Sequence, residues 1–175
     1  MRRQAFNGNS DAAFFPWVST GPMFLQIVLA GFILVSPAVA QRMDVAVVVN
    51  PNNSVTNISL VDLRKIFSGQ KRSWPGGAPI KIIARAPGCR ERLALLKILR
   101  MSESEYKQYW TAQVIRGEAD AEPFVVPSFG MVKEALKVYP GAIALADPKE
   151  IKAGVDIKIV RVEGHLPDET DYPIQ

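Results

Sequence analysis

The chain has 175 residues and a formal net charge of +4, a length that suits one domain around one core. It holds one cysteine and one histidine, which exclude an internal disulfide and argue against a Cys/His metal cluster or a Cys/His catalytic dyad. Its basic residues are scattered apart from Gln70-Lys71-Arg72, with no arginine-rich arm, so neither a nucleic-acid partner nor a cofactor is expected.

In chain order, the first feature is MFLQIVLAGFILVSPAVA, residues 23–40. Its apolar stretch is too short and too interrupted by glycine for a convincing membrane span. Ala38 and Ala40 form a small-residue cleavage pattern, and Arg2 and Arg3 supply positive charge upstream. Residues 1–40 are therefore read as a secretory signal cut after Ala40, with Met23 as a second possible start and an uncleaved N-terminal membrane anchor as the alternative. Export places residues 41–175 in a periplasm, where a chain without disulfides is ordinary. Losing Arg2, Arg3 and Asp11 lowers the net charge from +4 to +3.

Residues 44–50, DVAVVVN, are a nearly continuous β-branched run and predict a strand buried on both faces. Residues 50–54 are loop chemistry. Ser59 and Asp62 read as a capping box that opens a helix to Phe67, closed at Gly69. A loop with Trp74 leads to a strand at residues 80–84. A helix over residues 92–100 is expected to bury Leu93, Leu96 and Leu99. Ser102 and Glu105 form a second capping box, opening a helix to about Ile115 with Tyr106, Tyr109, Trp110 and Val114 on one side. A short strand at 124–126 precedes a helix opened by Ser128 and stopped at Pro140-Gly141. A strand at 142–146, a helical turn near 149–152 and a strand at 156–162 follow. Strands alternate with helices, so the class is α/β.

Residues 84–99, ARAPGCRERLALLKIL, carry the chemistry. A helix that starts after Gly88 presents unpaired N–H groups and the positive end of its dipole to an oxyanion. Gly88 gives backbone freedom, and Arg85 and Arg90 can add forked, charge-assisted bonds. The dipole alone contributes roughly 0.3–1 kcal/mol, while micromolar binding needs about 8 kcal/mol. Further donors must therefore converge. Pro127-Ser128-Phe129-Gly130 repeats the strand-cap-glycine pattern, and the loop from Asn50 to Ser54 follows strand one. All three are expected on the carboxyl edge of the sheet, where α/β proteins bind ligands. The competing reading is that such junctions carry Ser and Gly merely because caps need them.

Several segments together resemble one lobe of the phosphate-binding proteins of bacterial ABC transporters. VVVNP followed by LVDLRKIFSGQKRSW resembles the family's strand and its helix ending in I-F-x-G with a tryptophan beyond. IKIIARAPGCRERLALLKIL resembles the segment whose R-x-D-G-S-G-T turn holds phosphate. PSFGMVKEALKVYPGAIALAD resembles the later helix and P-G-A-I-G-Y strand, and YPIQ the Tyr-Pro segment near the end. The resemblance covers nearly all of residues 45–174. It implies a single lobe of the type II periplasmic-binding-protein fold, a mixed sheet flanked by helices, no enzymatic activity, and phosphate or a similar small anion as ligand. A transporter permease or another periplasmic protein would be the partner, and a second protomer a possible cover.

Within that resemblance Arg85 and Gly88 match the family turn. Pro87 stands for the aspartate that accepts a phosphate proton, and Cys89 for the serine hydroxyl, a thiol being the weaker donor. Arg90 and Glu91 replace Gly and Thr, so that Glu91 adds negative charge which Arg90 offsets. Ala144 and Leu145 replace Gly and Tyr in the later strand, a change of packing. The expected ligand set is Arg85, Gly88, Cys89, Arg90, Ser128 and Gly130, with Asn50 and Ser54 as its outer members and no metal. The alternative is an interaction or sensor module that keeps the fold without the ligand.

Overall fold

The run DVAVVVN becomes the central strand, β1 (Ala46–Val49), and all four residues are fully buried. The protein is described by a computed structural model covering residues 44–152, 154 and 156–174. The expected signal segment, residues 1–40, lies outside the described residues. After β1 come β2 (Asn57–Ile58), α1 (Leu60–Phe67), β3 (Lys81–Arg85), α2 (Arg90–Leu99) and α3 (Glu103–Ile115). Then follow β4 (Phe124–Val126), α4 (Phe129–Val138), β5 (Ala142–Ala146), a 3-10 turn at Pro148–Glu150 and β6 (Lys158–Val162). The two-residue β2 leaves no readable pattern in the sequence.

Local chemistry sets the helix starts. The Ser59 hydroxyl accepts the Asp62 N–H at 3.0 Å. The Asp62 carboxylate does not return to the cap but pairs with Lys71 at 3.1 Å. At α3 the capping box is complete: Ser102 Oγ accepts from Glu105 N at 3.2 Å, and Glu105 Oε2 accepts from Ser102 N at 2.7 Å. Gly69 ends α1 with φ +72°, and the Trp110 ring lies where a Cβ would stand, so only glycine fits.

Helix α2 differs from expectation. It starts at Arg90, two residues early, and buries Glu91, Arg92, Ala94, Leu95, Leu96 and Ile98. Leu93 is 51% exposed. The cause is polar. The Arg92 guanidinium is buried, bonds both Glu103 oxygens at 2.7 and 2.9 Å, and stacks 3.9 Å from the Tyr106 ring centroid. That anchor joins α2 to α3 and rotates Leu93 outward. On α3, Tyr106 and Trp110 are buried as expected, Tyr109 is partly buried, and Val114 is 37% exposed.

The six strands form one mixed sheet in the order β2-β6-β1-β5-β3-β4. β3 is parallel to β4 and β5, and β2 to β6, whereas β1 is antiparallel to both neighbours. One face packs on α1, α2 and α3, through Val47, Val49, Ile82, Ala84, Ile143 and Leu145. The other packs on α4, through Ala46, Val48, Ile83, Val126, Ala142, Ala144 and Ala146. The small alanines of β5 let α4 lie close to the sheet, while Ile143 and Leu145 fill the thicker layer opposite. Ala144 and Leu145 are thus packing residues.

Candidate functional site

Strands β3 and β4 run side by side, with Arg85 opposite Val126, and the Ala86 N–H donates to Val126 O at 3.0 Å. Their carboxyl ends therefore share one edge. The helices opening beyond these two ends, α2 and α4, pack on opposite faces of the sheet. A crevice between adjacent strands whose helices part in this way is where open α/β sheets hold ligands. Strand β5 lies on the other side of β3 and is parallel to it, which brings Asp147 to the same edge.

The turn after β3 follows from its sequence. Pro87 and Gly88 are the central residues, Gly88 has φ +86°, and the Cys89 N–H reaches back to Ala86 O at 3.4 Å. Proline then glycine with positive φ is the type II signature. No atom lies within 4 Å of a Cβ built at Gly88, so glycine is required for the backbone angle and not for close packing. Cys89 is the N-cap of α2, and its thiol makes no cap bond.

Arg85 is 11% exposed in its side chain. Its Nη2 approaches the Cys89 sulfur at 3.9 Å, and its Nε stands 3.5 Å from Glu91 Oε1 without the geometry of a hydrogen bond. Nε and Nη1 are buried and have no hydrogen-bond partner. Arg90 Nη1 donates to Asp147 Oδ2 at 3.0 Å. The expected offset of Glu91 by Arg90 is thus corrected: Glu91 faces Arg85, and Arg90 is taken by Asp147. Asp147 also caps the following 3-10 turn, accepting from Lys149 N at 2.9 Å. Ser128 Oγ is the cap of α4 and accepts the Met131 N–H at 3.3 Å, and both Ser128 and Gly130 are exposed.

The structure brings Arg85, Gly88, Cys89 and Arg90 together on one turn, with Ser128 and Gly130 on the neighbouring turn of the same edge. It does not bring Asn50 and Ser54 there. Val49 pairs with Ile143, at the start of β5, so β1 delivers its carboxyl end to the opposite edge. The expectation that all three loops share an edge assumed parallel strands, and β1 is antiparallel. Asn50 is instead a structural residue: its side chain donates to Leu136 O at 2.6 Å and accepts from Asn52 N at 2.8 Å. Asp147 was missed because only the β3-β5 pairing carries it to Arg90, and no local pattern announces that.

A cleft of about 340 Å³ lies away from this turn, lined by Arg72, Lys81, Trp110, Asp120, Glu122 and Phe124 among others. Both signs of charge stand at its rim, so it offers an anion no clear preference. His165, in the turn after β6, lies 3.3 Å from Glu169. Among the described residues no group of acidic, His and Cys side chains is placed to hold a metal ion. No described helix is long and apolar enough to cross a membrane.

No family model matches the sequence, and no curated protein matches it. Solved structures do. An ABC-type phosphate transport receptor from Vibrio cholerae is similar over 71% of this chain and 48% of its own, with TM-score 0.56 and 22% identity. PstS from Borrelia burgdorferi is similar over 71% and 49%, with TM-score 0.54 and 20% identity. A phosphate-binding protein from Stenotrophomonas maltophilia is similar over 72% and 40%, with TM-score 0.52 and 18% identity. The chain spans less than half the length of each of these proteins, and at such identities the likeness is one of fold. The protein therefore has the mixed α/β fold of phosphate ABC transporter substrate-binding proteins, over the part of them that it spans.

Proposed function

We propose that this chain is an exported solute-binding domain that holds phosphate or a related oxyanion weakly at the turn after β3. The observation that carries the reading is the Arg85 guanidinium, with two buried N–H groups unpartnered beside the uncapped start of α2. A planar fork next to free helix N–H groups is suited to a tetrahedral oxyanion. Gly88, Cys89 and Arg90 line the same turn, and Ser128 and Gly130 the adjoining one. In this reading the domain binds and does not catalyse, and a permease or another periplasmic protein receives or senses the ligand. The fold shared with phosphate-binding proteins supports the ligand class.

Weak binding is expected because the coordination is partial. Pro87 offers no acceptor for a phosphate proton, and the Cys89 thiol is a poor donor. A millimolar dissociation constant corresponds to about −4 kcal/mol, within reach of one arginine and one helix end. Calorimetry with phosphate and with sulfate decides the matter. Millimolar binding of phosphate that disappears in Arg85→Met is the expected result. No heat from either anion at millimolar concentration overturns the proposal.

The second reading, an interaction or sensor module without a ligand, is favoured by the ion pairs Arg85–Glu91 and Arg90–Asp147, which engage both turn arginines internally. It expects a stable complex with another exported protein in a pull-down from periplasmic extract. A partnerless monomer that binds phosphate tightly is incompatible with it.

A further inference from the structure

The first turn of α2 already contains an anion. Glu91 is 4% exposed, and its carboxylate stands 3.5 Å from Arg85 Nε at the positive end of the helix dipole. Burying a carboxylate costs several kcal/mol unless a cation and hydrogen bonds compensate. The helix start and the guanidinium supply positive potential at this turn, beside Arg90, which is paired with Asp147. They are also the two groups that an external oxyanion uses in the reading above.

We infer that Glu91 sets the affinity of this site by acting as a built-in competitor for the Arg85 guanidinium. The inference rests on the oxyanion reading of the turn and goes beyond it by naming the residue that limits binding. Arg85 keeps Nε and Nη1 without hydrogen bonds, so Glu91 neutralises the charge without filling the donors. Both donors are buried beside Glu91, so an incoming dianion must displace that carboxylate to reach them and meets its repulsion on the way. A neutral isostere at this position leaves the shape of the turn and the helix start unchanged and removes the repulsion. It also leaves a buried guanidinium without a counter-charge, which an anion then relieves. Asp147 plays no such role for Arg85, because its carboxylate is committed to Arg90 and to the Lys149 N–H.

The test is calorimetry of inorganic phosphate against the full chain, its Glu91→Gln variant and the double variant Glu91→Gln with Arg85→Met. Melting temperatures with and without phosphate are recorded alongside. The expected result is a dissociation constant at least tenfold lower for Glu91→Gln than for the parent chain, a larger phosphate-induced rise in its melting temperature, and loss of both in the double variant. Equal or weaker phosphate binding in Glu91→Gln overturns the inference while leaving the oxyanion reading intact if the parent chain binds. A parent chain that gives no heat beside a Glu91→Gln variant that does supports the inference and sinks the reading. Silence in both sinks both. Should Glu91→Gln fail to fold, Glu91→Asp draws the carboxylate back by one methylene and is expected to shift the affinity in the same direction by a smaller factor. An unchanged affinity there counts against the inference.

Discussion

At the scale of single residues, two arginines, Arg92 buried and Arg85 nearly so, illustrate different uses of one side chain, although Arg92 too keeps one nitrogen, Nη1, without a hydrogen bond. Arg92 is held on both oxygens of Glu103 and stacked on Tyr106, and Glu103 is kept below the ordinary carboxylate range chiefly by its hydrogen bond to Arg92. Arg85 keeps two N–H groups unpaired. The first arrangement is structural, and removing it is expected to cost stability. Arg92→Ala deletes the pair, the stacking and the packed stem, for a loss of about 2–4 kcal/mol. Urea denaturation measures it, and a loss below 1 kcal/mol would show the anchor to be incidental. Gly88→Ala is milder. Its site is open, so only the positive φ is penalised, for about 1–2 kcal/mol. Both arginines lie within one β-turn-helix unit, Arg85 at the end of β3 and Arg92 in the first turn of α2, and the sequence alone distinguishes them poorly, because burial and partner are properties of neighbouring segments.

At the scale of elements, the turn before β5 is the most closely packed glycine turn among the described residues. The Trp74 indole N–H donates to Gly141 O at 3.0 Å, and the Lys81 N–H donates to the same oxygen at 3.1 Å. A Cβ at Gly141 would run into the Pro79 carbonyl. Gly141→Ala is therefore expected to part β3 from β5 at its start and to cost more than about 3 kcal/mol, in the range of severe overpacking. A melting temperature unchanged within 2–4 °C, the span of a loss of about 1 kcal/mol in a domain of this size, would contradict it. The same element explains why Pro-Gly-Ala was legible as a helix stop but not as a contact. The stop is local chemistry, and the contact needs Pro79, which lies 62 residues before Gly141. Helix α2 gives the complementary lesson. Its leucines were legible as an apolar stripe, yet the face is turned by Arg92, a residue that patterning assigns to solvent.

At the scale of the whole molecule, two buried tyrosines bear on the response to pH. Burial pushes the Tyr106 phenol up to about 12, and burial likewise raises Tyr172, whose hydroxyl donates to Val45 O at 2.7 Å. Each holds its proton more tightly in the folded chain than in the unfolded one. Their contribution to stability is full below the ordinary value of 10.0 and is lost as pH rises through that value towards about 12. Denaturation followed from pH 8 to 12 should show stability falling above pH 10, and Tyr106→Phe should flatten part of the fall. A flat profile would contradict the burial of both rings. On the acid side, the contribution of Glu103 is present above its ordinary value of 4.5 and is lost as pH falls below that value through its lowered folded one.

The sequence by itself determined the class of the fold, the order of the longer elements and the turn at Arg85–Arg90. Those depend on signals carried within about ten residues: β-branched runs, Ser caps, Pro-Gly turns and helix periodicity. It also held the likeness to phosphate-binding proteins, as ordered short motifs. The tertiary structure alone decided which turns share an edge. The direction of β1 moved Asn50 and Ser54 away from the site, and the pairing of β3 with β5 carried Asp147 to Arg90. It also decided that Glu91 faces Arg85 instead of Arg90. Charge is written in the sequence, but the partner of a charge is set by strand order and helix rotation, which are non-local and follow from burying two different faces of one sheet.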